Sequence, residues 1–252
     1  MKRTLILFLA LIGIFASYAV AQDLSDIELL TALDDARFFD ETVTQLSIRI
    51  LSETPDETRE AELMLSFYDA EDGSYARIEF ATPDELAGQI FLSTPDATYF
   101  YGPDLDFPIK TSATTQVFGD AAVAQTSGIR FADSYTIEER RIVVTEDEIE
   151  VWELDLVAID FTVAFQAATV TVDPIELLPT SAILYAVSGL PFYEVFYETY
   201  VTREDDVYVA TQRIVNQLLL GQITTSEILE TGTEIMPAAF FDPAALGTGE
   251  TP

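Results

Sequence analysis

The stretch Val43-Thr44-Gln45-Leu46-Ser47-Ile48-Arg49-Ile50-Leu51 sets Leu46, Ile48 and Ile50 against Gln45, Ser47 and Arg49. Successive side chains of a strand point to opposite faces, so this period of two predicts a strand with one face buried and one wet. The pattern spreads outward from there. Residues 61–68 put Leu63, Leu65 and Phe67 on one side, and residues 75–81 oppose Ile78 and Phe80 to Arg77 and Glu79. Residues 88–93 and 97–101 continue it across short polar turns at 52–59, 69–74 and 94–96. This is the pattern of an antiparallel meander. Residues 102–133 interrupt it with a loop around Gly102, Pro103 and Pro108, then an Ala-rich run, 119–126, that predicts a short helix ending at Gly128. Alternation resumes at 135–145, 148–157, 159–172, 181–187, 192–201, 206–217 and 224–229.

Ahead of the strands, Ser25 and Glu28 have capping-box spacing, and Ile27, Leu29, Leu30, Leu33 and Ala36 repeat at helical intervals, predicting a helix over 26–38. The sum is a mainly β chain with a few helices. About eleven strands in one sheet tend to curl. The expected architecture is therefore a half-open antiparallel β-barrel whose helices plug or lid the concave face. The chain divides into a signal peptide (1–21), one domain (22–236) and a flexible Ala-, Pro- and Gly-rich tail (237–252). The signal reading rests on Lys2 and Arg3, the apolar run Leu5 to Ala16, and Ala19-Val20-Ala21 before Gln22. The competing membrane anchor is at the short limit for a span, and the small-residue site favours cleavage. No Cys stands at the cleavage point, so a lipid-anchored product is not expected. Export across the inner membrane to the periplasm follows.

Composition narrows the chemistry. The chain of 252 residues has 12 Lys+Arg against 44 Asp+Glu, a formal net charge of −32, no His and no Cys. Catalytic triads and dyads built on His or Cys, thiolate or imidazole metal sites and disulfides are excluded. The acid surplus argues against nucleic acid and against electrostatic docking on anionic lipid. A 49% hydrophobic content excludes disorder. Asp104 with Asp106, or Asp155 with Asp160, could form a glycosidase pair, but solvated surface acids explain them better. The run Asp69 to Gly73 misses the spacing of a calcium loop, and a serine nucleophile could use only Lys110. No cofactor, metal or catalytic residue is expected. The 17 Phe and 11 Tyr crowd the strands. They either form ordinary core or line a cavity for an apolar ligand, and periodicity does not separate the two.

Residues 80–93 (Phe80, Pro83, Gly88, Leu92) resemble the proline turn and strand-opening glycine of the outer-membrane lipoprotein-sorting proteins, the LolA/LolB-like family. Tyr99 to Pro103 is similar to that family's aromatic strand and its Tyr-x-Pro loop. Residues 117–135 stand where the family has its helical segment, and Val170 to Asp173 with Leu178 to Tyr185 resembles its second-half hairpin. Val172 replaces a residue often aromatic there, and Phe107, Pro108, Ile109 and Lys110 replace arginines. The resemblance covers about 40–230. It implies an incomplete barrel enclosing a hydrophobic cavity for acyl chains, and a soluble periplasmic carrier rather than an enzyme. Lipoprotein or lipid acyl chains would be its cargo, with an inner-membrane transporter and an outer-membrane acceptor as partners. On the strands, the expected cavity residues are Leu63, Leu65, Phe67, Ile78, Phe80, Ile90 and Leu92, with Trp152, Leu154, Phe161 and Phe165 from the second half. Two other functions compete: an exported β-rich binding or structural module of the envelope with a filled core, and, last, a carboxylate-dependent hydrolase.

Overall fold

The computed structural model describes residues 24–38, 43–123, 129–203 and 206–246. The expected signal segment 1–21 lies outside them, as do residues 124–128 of the expected short helix. Helix α1 (Asp26–Asp35) opens with the predicted capping box: Ser25 Oγ accepts from the Glu28 amide, and the Glu28 carboxylate accepts from the Ser25 amide. Two orphan amides of the first turn are thereby satisfied.

The strands are β1 (Gln45–Glu53), β2 (Thr58–Ala70), β3 (Gly73–Thr82), β4 (Ile90–Ser93), β5 (Thr98–Tyr101) and β6 (Ile109–Thr111). A small hairpin follows, β7 (Gln116–Phe118) and β8 (Ala121–Ala122), then the single-turn helix α2 (Phe131–Ser134). The second half comprises β9 (Tyr135–Val144), β10 (Glu150–Ala158), β11 (Ala167–Val172), β12 (Pro179–Tyr185), β13 (Pro191–Arg203), β14 (Asp206–Asn216) and β15 (Ile223–Gly232). Thirteen of these form one antiparallel sheet in the order β6-β5-β4-β3-β2-β1-β15-β14-β13-β12-β11-β10-β9. The meander is as expected, and the sheet keeps two edges, β6 and β9, without closing into a barrel. The Ala-rich run differs from expectation: Ala121 and Ala122 enter strand β8.

One face of the sheet, the inner face, carries the main core. Leu46, Ile48 and Ile50 of β1, Leu63 and Leu65 of β2, and Ile78 and Phe80 of β3 join Trp152, Leu154, Val170 and Ile214 from the second half in one buried cluster. Helix α1 presses Leu29, Leu30 and Leu33 into it, the β7–β8 hairpin adds Phe118 and Ala121, and α2 adds Phe131. On the outer face the acids and arginines of the alternating pattern meet water: Arg49 pairs with Glu227, and Arg141 with Glu153 and Asp155.

A second apolar cluster lies on the outer face. Ile90 and Leu92 pack there with Phe241 and Leu246, bordered by Tyr68, Tyr75, Tyr99 and Phe240. Residues 238–246, placed by composition in a flexible tail, form two 3-10 turns, Ala238–Phe241 and Pro243–Ala245. The Phe240–Phe241 pair explains the difference. Phe241 is buried and stacks on Tyr68, while Arg77 donates to the Phe240 carbonyl at 3.1 Å and lies 4.0 Å from its ring.

Candidate functional site

The candidate site is the apolar interior between the inner face and the elements that cover it. Of the eleven residues expected to line it, Leu63, Leu65, Ile78, Phe80, Trp152, Leu154 and Phe165 are brought together there, and each is at most 3% exposed. Phe67 packs against them half-buried. Three stand elsewhere. Ile90 and Leu92 face outward, because Ile78 pairs with Phe91, which puts Phe91 on the inner face and turns its neighbours away. All three residues are buried, so β4 has no wet side and its alternation gave the wrong parity. Phe161 is 88% exposed, because residues 159–166 form turns rather than strand.

The cover is tied down by a polar latch. Asp34, at the end of α1, accepts from the amides of Phe131 and Ala132 at 2.8 and 2.9 Å, at the start of α2. Arg37 pairs with Asp34 at 2.8 Å, donates to the carbonyl of Ile129 and to Tyr197 Oη at 3.1 Å, and lies 3.7 Å from the Phe131 ring. Burial works against its charge, yet Tyr197 and Asp34 outweigh burial and raise its pKa above the ordinary guanidinium value. The latch therefore joins α1, α2 and β13. Periodicity could not find it, since Asp34 and Arg37 look like exposed helix-end charges in the sequence.

The β7–β8 hairpin is held by a second buried polar group. Asp120 is fully buried; its Oδ1 accepts from Asn216 at 2.7 Å and Gln116 at 3.1 Å, and Oδ2 has no partner. Desolvation pushes its pKa up, against the lowering by Asn216 and Gln116. Gly119 precedes it at φ +57°, and a Cβ there would stand 2.5 Å from Thr224 Oγ1 and 2.6 Å from Ser52 Oγ. Only glycine permits this approach of the hairpin to the sheet.

At the β9 edge, a bulge leaves Glu138 between the Leu156–Ile137 and Asp155–Glu139 pairs. It shifts parity, so Arg140 pairs with Leu154 on the inner face and lies 4.7 Å from the Trp152 ring, with Nε and Nη2 buried and unpartnered. Its neighbour Arg141 takes the outer carboxylates. Elsewhere, on the outer face, a groove of about 280 Å³ is bounded by Gln45, Met64, Arg77, Glu79, Met236 and Phe240. The described residues hold no group of three or more carboxylates arranged for a metal ion.

A family model described as "-like: Uncharacterized protein" matches residues 72–248. No curated protein matches the chain. Among solved structures, a LolA-superfamily protein from Nitrosomonas europaea superposes with a TM-score of 0.77 at 18% identity, covering 87% of this chain and 98% of that one. A putative outer-membrane lipoprotein-sorting protein domain from Vibrio parahaemolyticus gives 0.71 at 15% identity, covering 85% and 95%. A DUF1329-family protein from Desulfovibrio piger gives 0.70 at 15% identity, covering 93% and 99%.

Proposed function

From a chain that belongs to the family matched over 72–248, and that has the fold of LolA-superfamily lipoprotein-sorting proteins, we propose an envelope carrier that shelters acyl chains between the inner sheet face and its helical cover. In this reading residues 1–21 are removed on export, residues 22–236 form the carrier domain, and the work is done in the periplasm. Its cargo is a lipoprotein or related lipid, received from an inner-membrane transporter and passed to an outer-membrane acceptor. The role is sequestration, not catalysis.

The observation that supports it most directly is the way the apolar face is covered. One ten-residue helix contributes Leu29, Leu30 and Leu33, and its end is held by the Asp34–Arg37 latch. A short amphipathic helix alone in water is marginal, so its place depends on this docking. An acyl chain that took the place of those leucines would gain about 0.8 kcal/mol per methylene leaving water, enough over a dozen methylenes to offset loss of the helix contacts. Release requires only that the acceptor offer the chain an equally dry site.

The test is native mass spectrometry and lipid extraction of the purified protein, with uptake of a fluorescent fatty acid measured alongside. A carrier holds extractable lipid or takes up the probe, and Phe80→Asp, verified as folded by circular dichroism, loses uptake. A wild-type protein with neither bound lipid nor uptake overturns the reading and leaves an envelope module with a filled core.

A further inference from the structure

The strand register places three turns side by side. The β10–β11 turn (159–166) adjoins the β12–β13 turn (186–190), because Ala167 pairs with Tyr185. The β12–β13 turn in turn adjoins the β14–β15 turn (217–222), because Tyr193 pairs with Asn216. Their tips expose Phe161 (88%), Val187 (89%), Leu190 (59%), Leu218 (56%), Leu219 (55%) and Leu220 (95%). In a chain with 44 acids, these three turns contain one charged residue, Asp160. Its carboxylate accepts from the amide and hydroxyl of Thr162 within the same turn. The turns at the opposite end of the same strands are acidic, with Glu146, Asp147 and Glu148 in one and Asp173 and Glu176 in another. Several backbone groups of the three turns are satisfied locally. Asn216 Oδ1 accepts from the amides of Leu218 and Leu219, both at 2.9 Å. The Gly189 amide donates to Ala186 at 2.8 Å, and Gln166 Nε2 donates to the Val163 carbonyl at 2.8 Å.

Exposed apolar side chains on turns with internally satisfied amides are what a segment needs to enter an apolar medium, where unsatisfied backbone groups are costly. The acidic turns share such local bonds, since Asp173 accepts from the amides of Ile175 and Glu176, so it is the exposed apolar side chains that set the three tips apart. We propose that these three turns, and not the whole end of the sheet, form a membrane-docking edge whose tips enter the interfacial region of an uncharged lipid surface; the next turn along, β1–β2, carries Asp56 and Glu57. The absence of Lys and Arg from the tips fits insertion by apolar contact rather than by attraction to anionic headgroups. This rests on the carrier reading for its purpose, the exchange of chains with a bilayer, but not for its evidence.

Co-flotation of the purified protein with vesicles of pure phosphatidylcholine tests it. Binding that survives 1 M NaCl, and that falls at least tenfold in the triple variant Phe161→Ser, Val187→Ser, Leu220→Ser, is the expected result. Those side chains are exposed, so folding should be untouched, and Ile175→Ser at the acidic end serves as the control that changes nothing. No flotation of the wild type, or undiminished flotation of the triple variant, overturns the proposal. A dimer in sedimentation that the triple variant dissolves, without vesicle binding, overturns it in favour of a second copy as occupant. The two readings separate cleanly: fatty-acid uptake without flotation removes the docking edge and keeps the carrier, and flotation without uptake does the reverse.

Discussion

The two faces of the sheet carry the same kinds of residue in different arrangements. Inside, Trp152, Ile78 and Leu154 belong to one cluster that joins strands from both halves with α1, α2 and the β7–β8 hairpin. Outside, Ile90, Leu92 and Tyr68 form a local patch closed by a strap, residues 238–246, that packs against the first half of the sheet. Polar groups divide the same way. Asp120 inside is buried and incompletely paired, whereas Glu227 outside meets Arg49 in contact with water. Apolar packing on the inner face is thus shared by the whole fold, and on the outer face it is modular.

Four substitutions test that contrast. Trp152→Ala on the inner face should cost about 3–5 kcal/mol of global stability in urea denaturation, as a large buried ring leaves a cavity. A loss under 1 kcal/mol would mean that the interior is already loose there. On the outer face, Phe241→Ala should cost at most about 2–3 kcal/mol, because the strap can detach and leave the sheet folded. Hydrogen exchange should show protection lost at 238–246 alone; loss across β1 and β15 would erase the distinction between the faces.

Asp120→Asn should stabilise the protein at neutral pH by about 1 kcal/mol, since it removes a buried, half-satisfied charge and keeps an acceptor for Asn216 and Gln116. The sign follows from the raised pKa: the folded state binds the Asp120 proton more tightly than the unfolded chain does. Its penalty is absent below the unfolded value of 3.8 and grows as pH rises to the folded value. The advantage of the Asn variant should therefore vanish in acid; an advantage constant with pH would exclude titration of Asp120 as its source. Glu227→Gln, the smallest effect, should leave the urea midpoint unchanged, as exposed ion pairs contribute little.

Much of this was legible in the sequence where one face of a strand is wet. Gln45 to Ile50 and Tyr75 to Phe80 alternate cleanly, and the structure places their apolar residues inside as read. The same rule failed at β4, where Ile90, Phe91 and Leu92 are all buried, and the neighbouring Ile78–Phe91 pairing decides the parity. It also failed at Phe161, where apolar composition concealed a turn. The latch residues Asp34 and Arg37, and the inward Arg140 set by the Glu138 bulge, depend on contacts between distant segments or on a register shift, neither of which a linear pattern records. An open rather than closed sheet was expected from the sequence, but which strands form its edges, β6 and β9, depends on pairings that strand number does not record.

The position of β1 carries a consequence for how the molecule comes into being. This strand lies between β2 and β15, and Arg49 meets Glu227 across 178 residues of sequence. The sheet thus cannot acquire its middle until nearly the whole chain is available. Long loops must close before such contacts form, so folding is expected to be slow and late. The first half, β1 to β6, would meanwhile wait with an unpaired edge at β1. The last strand to arrive, β15, is therefore the one that joins the two halves of the sheet, between β1 and β14.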